Sequence, residues 1–99
     1  MRVVVTGGAG RSGKQVARYL RDKGHDILTI DLVPTGTASL APEVGSHLLV
    51  DMTDLGETIE ALDQADAVVH LGAIWAAGVR THTSTFDINV ISTFNVFMA

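Results

Sequence analysis

A cluster of glycines interrupts the chain directly after its first apolar segment. Residues 3–20 read VVVTGGAGRSGKQVARYL, so the apolar run is followed by four glycines within seven residues and then by a helical pattern. Glycine loses more conformational entropy on folding than any other residue. Four glycines between a strand and a helix therefore predict a turn whose backbone must be closely approached by another group.

The rest of the chain alternates between short apolar runs and amphipathic segments. The predicted strands are Arg2–Thr6, His25–Asp31, His47–Asp51 and Ala67–Leu71. The predicted helices are Arg11–Lys23, which ends at Gly24, a segment that begins at Asp54 and runs through Leu62, and Thr85–Ala99, with loops at 32–46 and 72–84. Short continuous apolar strands separated by helices are typical of a parallel sheet covered on both faces. The predicted fold class is therefore α/β, with right-handed crossovers.

Composition excludes several classes of function. The 99 residues are 46% hydrophobic, contain no cysteine and have a formal net charge of -4. These values favour one packed domain and, without a basic cluster, argue against nucleic acid or an anionic membrane as a partner. The lack of cysteine excludes disulfides and thiolate metal sites, and the four histidines do not have the spacing of metal ligands. No apolar run approaches the ~18 residues of a membrane span. We expect a cytoplasmic protein without a metal.

The motif T-G-x-x-G-x-x-G occupies the turn between the first predicted strand and the first predicted helix, which is the context of a dinucleotide-binding turn. Gly7 would allow the sharp turn, Gly10 would let backbone amides approach a diphosphate, and Gly13 would let the helix pack closely on the sheet. The amides of Arg11 and Ser12 would be available to an anion at the helix N-terminus. A plain tight turn between a strand and a helix is the alternative.

Asp31 ends the second predicted strand, near the ~20-residue offset expected of an acid that binds a ribose 2′-hydroxyl. A carboxylate at this point would accept from the diol of NAD and repel the 2′-phosphate of NADP. Arg11 is the counter-argument, because a nearby guanidinium could compensate a 2′-phosphate. The sequence favours NAD over NADP, and an acid that merely stabilises a turn is the alternative for Asp31.

Further segments complete a family pattern, and they read Asp51-Met52, His70-Leu71-Gly72-Ala73 and Asn89-Val90-x-x-Thr93-x-Asn95-Val96. Over essentially all of its length the chain resembles the extended short-chain dehydrogenases/reductases, the NAD-dependent epimerase/dehydratase group, whose members act mostly on nucleotide sugars and related sugars. The resemblance implies a doubly wound, Rossmann-type sheet of about four strands that binds NAD at the carboxyl ends of its strands. The sequence departs from the family pattern at Arg11-Ser12 and at Gly72.

The resemblance also implies roles for residues that follow the third and fourth strands. The residues concerned are Asp51, Met52, Leu71, Gly72, Ala73 and Asn89. Asp51 would bond the adenine amine with Met52 beside the ring, and segment 71–73 would pass beneath the pyrophosphate and the nicotinamide ribose. Asn89 would lie near the cofactor. Capping is the alternative for Asp51 and loop tethering for Asn89, while His70 is interpreted as a packed strand residue.

Catalysis in the family that this chain resembles relies on a Ser or Thr and a Tyr-x-x-x-Lys pair, which lie on the fifth strand and the following helix. The chain stops before these elements, so we expect residues 1–99 to be the NAD(P)-binding domain of a longer epimerase, dehydratase or sugar dehydrogenase, inactive by itself. A non-catalytic NAD(P)-binding regulatory module and a truncated fragment are the alternatives. The expected partners are the dinucleotide and a sugar-type substrate, and a homodimer is left open.

Three smaller predictions concern single residues. Tyr19 and Lys23 have Tyr-x-x-x-Lys spacing but lie on the first helix, where their spacing with Val16 and Leu20 predicts a core-facing stripe instead of a catalytic pair. Either Ser84 or Thr85 is predicted to cap the last helix. Trp75 would border the nicotinamide or a substrate pocket, or pack against the fold.

Overall fold

The computed structural model describes residues 1–32, 46–74 and 78–99. The strands are β1 (Arg2–Thr6), β2 (Asp26–Asp31), β3 (Ser46–Leu49) and β4 (Ala67–His70). The helices are α1 (Arg11–Asp22), α2 (Leu55–Leu62) and α3 (His82–Met98). The order of elements is the predicted one. Most of the predicted loop at 32–46, and Trp75, lie outside the described residues.

The strands form one parallel sheet in the order β3-β2-β1-β4. At the carboxyl end of β1, Thr6 is paired with Ile30 of β2 on one side and with His70 of β4 on the other. The chain moves outward from β1 through β2 to β3 and then returns to place β4 on the opposite side of β1. The direction of winding therefore reverses between β1 and β4, where α/β sheets open a crevice for ligands.

Helices cover both faces of the sheet, because successive side chains of a strand point to opposite faces. On one face, α1 packs on a cluster built from Val3, Val5, Ala17 and Ile27. On the other face, the cluster consists of Val4, Ile30, Val50, Met52 and Ala61, against which Leu62 of α2 and Val96 of α3 pack. The predicted fold class, a partial doubly wound α/β sheet, is confirmed.

The predicted core-facing stripe of α1 is wrong at one residue. Val16 and Leu20 pack against the core as expected, but Tyr19 is 62% exposed and Lys23 places its Nζ 5.4 Å from the centre of the tyrosine ring. The buried stripe of α1 is centred on the fully buried Ala17, and Tyr19 projects away from it. Eight residues into the helix, Tyr19 lies about 12 Å along the axis from Arg11.

The three helices differ at their N-termini. The Asp54 carboxylate accepts a hydrogen bond from the amide of Glu57 (2.9 Å) and caps α2, as predicted. The cap of α3 is Thr81, whose hydroxyl accepts from the amide of Ser84 (3.2 Å), so the prediction of a cap at Ser84 or Thr85 is wrong. Several residues of cap-forming type follow one another there, and residue type does not choose among them. Helix α1 begins after Gly10 with no side-chain cap.

None of the helices within residues 1–32, 46–74 and 78–99 has the length and apolar content needed to cross a membrane. Within the same ranges, no three histidine or carboxylate side chains come close enough together to hold a metal ion.

Candidate functional site

The glycine turn is wedged between the ends of β2 and β4. Gly7 has a φ of 70°, and a Cβ atom on it would lie 2.8 Å from the carbonyl carbon and oxygen of Leu71. Gly8 donates its amide to the carbonyl of Ile30 (3.0 Å), and a Cβ on Gly8 would lie 2.3 Å from the Cβ of Thr29. Both glycines are therefore required by the packing of the protein itself.

Gly13 lets α1 start directly on the turn. A Cβ atom at this position would lie 2.1 Å from the carbonyl oxygen of Gly7 and 2.9 Å from the Cα of Gly8. The close approach is made to the backbone of the turn, whereas the sequence predicted an approach to the sheet. The absence of a side chain at Gly13 is what sets the first turn of α1 against the loop.

Gly10 is different from the other glycines of the motif. Its backbone is extended, with φ −77° and ψ 167°, a conformation that any residue adopts. Among the residues that the structure describes, a Cβ on Gly10 would come within 4 Å only of the carbonyl oxygen of Gly7, at 3.3 Å, a contact that requires this oxygen to move by a few tenths of an ångström. Neither the backbone conformation of Gly10 nor its packing against residues 1–32, 46–74 and 78–99 strictly requires glycine at this position.

The first turn of α1 presents amide groups that the helix itself cannot satisfy. The first amide to reach a helical acceptor is that of Lys14, which donates to the carbonyl of Gly10 (3.0 Å). The amides of Arg11, Ser12 and Gly13 precede it and by helix geometry have no acceptor within the helix. No acidic residue lies in this first turn. The positive end of the helix dipole is thus available to an anion.

A cleft of ≈ 540 Å³ opens at this helix end, and its lining includes Gly7, Gly10, Arg11, Ser12 and Gly13. These are the five turn residues that the sequence predicted to contact a cofactor. The structure therefore brings them together around one opening at the carboxyl edge of the sheet.

Asp31 reaches from the end of β2 to the glycine turn. One carboxylate oxygen accepts from the amide of Ala9 (3.0 Å), and the other accepts from the amide of Leu32 (2.7 Å). The bond to Ala9 helps to hold the glycine turn in place, whereas the bond to Leu32 is local to the end of β2. The carboxylate thus contacts the glycine turn and stabilises it, as the alternative interpretation held, while its contact with a ribose stays a prediction.

Asp51 and Met52 follow β3 at the same edge. The Asp51 carboxylate accepts from the amide (3.0 Å) and the hydroxyl (2.6 Å) of Thr53, so it stabilises its own turn, while the cap of α2 is Asp54. Met52 is buried, and its carbonyl accepts from the side-chain amide of Asn95 (2.8 Å). A contact between these residues and an adenine ring stays a prediction.

Segment 71–73 lies against the glycine turn. The amides of Leu71 and Gly72 both donate to the hydroxyl oxygen of Thr6, each at 2.9 Å. A Cβ on Gly72 would lie 2.4 Å from the terminal methyl carbon of Met52. The glycine found where the family pattern commonly has alanine is therefore matched to the methionine beneath it, while Ala73 is exposed.

A chain of hydrogen bonds links this segment to α3. His70 contacts Thr6 through Nδ1 (2.6 Å) and Thr93 through Nε2 (3.1 Å). Asn89 grips the loop after β4, since its side chain accepts from the amide of Ile74 (2.6 Å) and donates to its carbonyl (3.2 Å). The tethering interpretation of Asn89 is confirmed. The roles of the Thr6 and Thr93 hydroxyls were not predicted from the sequence, because their contacts with His70 span 64 and 23 positions.

Comparison with known proteins places this site in context. A family model described as the NAD dependent epimerase/dehydratase family matches residues 3–99. The UDP-glucose 4-epimerase of Corynebacterium glutamicum is 34% identical over 73 residues, which cover 74% of this chain and 22% of that protein.

Two solved structures share the fold with substantial sequence identity. A short-chain dehydrogenase/reductase superfamily protein from Agrobacterium tumefaciens with bound NAD is 30% identical, with a TM-score of 0.82, over 99% of this chain and 28% of its own length. The UDP-glucose 4-epimerase of Thermus thermophilus in complex with NAD is 26% identical, also with a TM-score of 0.82, over 99% of this chain and 33% of its own. The chain thus spans between a fifth and a third of the length of these three proteins.

Proposed function

Because the chain belongs to the NAD dependent epimerase/dehydratase family, we propose that its glycine turn binds NAD and that residues 1–99 supply the cofactor-binding part of an epimerase, dehydratase or sugar dehydrogenase. The observation that most strongly supports this proposal is Gly10. Gly7, Gly8 and Gly13 are explained by contacts within the protein, but Gly10 has an ordinary backbone conformation and a single tight neighbour. A glycine that the fold does not require leaves room for a group from outside.

The residues around the cleft fit a dinucleotide diphosphate. The amides of Gly8, Ala9 and Gly10 are already bonded to the carbonyl of Ile30, to Asp31 and to the carbonyl of Gly7. The donors that remain for phosphate oxygens are those of the first turn of α1. The first turn of α1 has no acidic side chain, which favours binding of an anion there. The cleft would bring this anion close to the backbone. NAD bound there would accept and return a hydride during the reaction.

Asp31 is proposed to select NAD over NADP. Its carboxylate lies beside the glycine turn, one oxygen on the amide of Ala9 and the other on that of Leu32. From this position at the end of β2 it would accept from a ribose diol and repel a 2′-phosphate. Arg11 lines the same cleft, and its positive charge would favour the diphosphate of both NAD and NADP.

The remaining site assignments are proposals based on family membership and on position. Asp51 and Met52 follow β3 and would meet the adenine end, with the buried Met52 acting through its backbone and through its support of Gly72. Segment 71–73 would pass beneath the pyrophosphate, and Asn89 would hold the loop over the cofactor. A sugar-type substrate is proposed from the epimerase relatives, and the catalytic groups would come from outside these 99 residues.

A calorimetric titration of the protein with NAD tests the proposed function. We expect saturable binding of one NAD per chain, with weaker binding of NADP. A control titration with nicotinamide mononucleotide, which has a single phosphate and no adenosine, should show much weaker binding. Failure of NAD to bind to folded protein at neutral pH would contradict the proposal.

Substitution of Asp31 should change cofactor preference. In Asp31→Asn the side-chain oxygen can still accept from the amide of Ala9, but the charge is lost, so the penalty against a 2′-phosphate should fall. We expect the ratio of NADP to NAD dissociation constants to fall by about tenfold, the equivalent of one lost charge repulsion. Asp31→Ala should lower the same ratio and also weaken NAD binding. If the ratio of the two dissociation constants were unchanged in both variants, Asp31 would not contact the ribose.

A further inference from the structure

The hydroxyl group of Thr6 determines the protonation state of its neighbour His70. A hydroxyl has one proton to donate and two lone pairs with which to accept. Both lone pairs of the Thr6 oxygen are used, because the amides of Leu71 and Gly72 each donate to it at 2.9 Å and cannot do otherwise. The third partner, Nδ1 of His70 at 2.6 Å, must therefore receive the proton of Thr6. Nδ1 is then an acceptor without a proton.

The other side of the imidazole ring gives the same answer independently. Thr93 donates its own hydroxyl proton to the carbonyl of Asn89 (2.7 Å), which leaves its lone pairs facing Nε2 of His70 at 3.1 Å. Nε2 must then carry the proton and donate it. The hydrogen bonds run in one direction from Thr6 through His70 and Thr93 to Asn89. Only the neutral ring with its proton on Nε2 satisfies every member of the chain.

We propose that His70 is a positioning residue of the NAD site: its neutral Nε2–H form holds Leu71 and Gly72 against the glycine turn, and its protonation loosens that segment and weakens NAD binding. This proposal rests on the proposed function for its effect on NAD. A protonated ring would direct an N–H at the oxygen of Thr6, whose lone pairs already accept from two amides. One of these bonds would then have to break.

The geometry explains why a loosened segment would affect the cofactor. A Cβ atom added to Gly7 would lie 2.8 Å from the carbonyl oxygen of Leu71. A Cβ atom added to Gly72 would lie 3.3 Å from the amide nitrogen of Gly7. The two backbone segments are therefore in direct contact across the switch point between β1 and β4. A displacement of one changes the wall of the cleft that the other lines.

Burial acts in the same direction as the hydrogen bonds. Desolvation lowers the pKa of His70 from its ordinary value of 6.5, because the half-buried ring is less able to hold a charge. A histidine whose pKa is lower in the folded state binds fewer protons than in the unfolded state. Its contribution to stability is complete above pH 6.5 and is lost as the pH falls through the lower, folded-state pKa.

In the part of the chain that the structure describes, the hydrogen-bond partners of this ring are uncharged. The ring is bonded to Thr6 of β1 and Thr93 of α3, neither of which titrates in this range. The charged residues on these elements and next to β4 are Arg2, Asp66, His82 and Asp87. Arg2 and Asp66 lie at the opposite ends of β1 and β4 and bond to each other through the Arg2 amide. Within the described ranges, no ion pair or hydrogen bond joins any charged side chain to His70.

The test compares the pH dependence of NAD binding in the wild-type protein, in His70→Gln and in His82→Gln. Glutamine can accept from Thr6 and donate to Thr93 but does not titrate. We expect the wild-type affinity for NAD to fall by about tenfold as the pH is lowered from about 7.5 through the folded-state pKa of His70, as one hydrogen bond is lost. This fall should be absent in His70→Gln and unchanged in His82→Gln, which alters an exposed histidine of α3. Any pH dependence of NAD binding that is due to carboxylates such as Asp31 would be the same in all three proteins.

Nitrogen NMR of the wild-type protein provides a second measurement that needs no NAD and no variant. We expect His70 to be the neutral Nε2–H tautomer at about pH 7.5, and the amide signals of Leu71 and Gly72 to shift as His70 titrates. An Nδ1–H tautomer, a charged ring at that pH, or equal pH slopes in wild type and His70→Gln would overturn the proposal. If NAD does not bind at that pH while these amides follow His70, the proposed function fails and the positioning role stands.

Discussion

Substitution of Gly10 by valine is expected to weaken NAD binding severely while leaving the fold intact. The backbone at Gly10 is in an extended conformation open to any residue, and a Cβ there meets one atom of the described part of the chain, the carbonyl oxygen of Gly7 at 3.3 Å. The rest of a valine side chain would project into the cleft where the diphosphate is proposed to touch the backbone. Calorimetry should show an increase in the NAD dissociation constant of about 100-fold or more, equivalent to ~2.7 kcal/mol.

A graded series separates exclusion of the ligand from damage to the fold. Gly10→Ala adds one methyl group and should weaken NAD binding less than Gly10→Val. Both variants should unfold in urea within about 2 kcal/mol of the wild type, because alanine and valine are poorer N-cap residues than glycine but cost no more than this. Unchanged NAD affinity in Gly10→Val would show that the turn is not the cofactor site. Loss of folding in Gly10→Val would mean that the fold requires glycine at this position as it does at Gly7, Gly8 and Gly13.

The fold could be predicted from the sequence where the signals are local. The apolar run of β1, the glycines after it, the cap at Asp54 and the end of α1 at Gly24, which has a φ of 90°, all depend on residues within a few positions of one another. Hydrophobic burial and backbone sterics act at this range, so their pattern is visible in the chain. The family resemblance over the whole length is confirmed by the match to residues 3–99.

The interactions that shape the candidate site could not be predicted in the same way. Asp31 bonds to Ala9 across 22 positions, and His70 bonds to Thr6 across 64 and to Thr93 across 23. These partners meet only because the parallel sheet brings the ends of different strands to one edge. The direction of donation in these hydrogen bonds follows from counting donors and acceptors, and this count requires the three-dimensional structure. The exposure of Tyr19 similarly depends on where α1 lies on the sheet.

Gly13→Ala is expected to destabilise the protein more than any other single methyl addition to the glycine turn. The new Cβ would lie 2.1 Å from the carbonyl oxygen and 2.8 Å from the carbonyl carbon of Gly7, and both atoms belong to backbone held by hydrogen bonds to Gly10 and, through Gly8, to β2. The clash cannot be relieved by a side-chain rotation, so α1 must shift away from the turn. We expect a loss of about 3 kcal/mol in the free energy of unfolding, at the upper end for overpacking.

Gly24→Ala is the matched control for this prediction, because it adds the same methyl group to the other end of α1. At Gly24 no atom of the residues described by the structure lies within 4 Å of the new Cβ, so the expected cost is that of the positive φ, about 1 kcal/mol. Urea unfolding followed by circular dichroism should therefore order the proteins as wild type, Gly24→Ala and Gly13→Ala in decreasing stability, and a Gly13→Ala protein that fails to fold fits the same order. Equal stability of the two variants would mean that the backbone of the turn moves easily at Gly7. A turn that moves easily could not keep its amides and its cleft in a fixed position for a diphosphate.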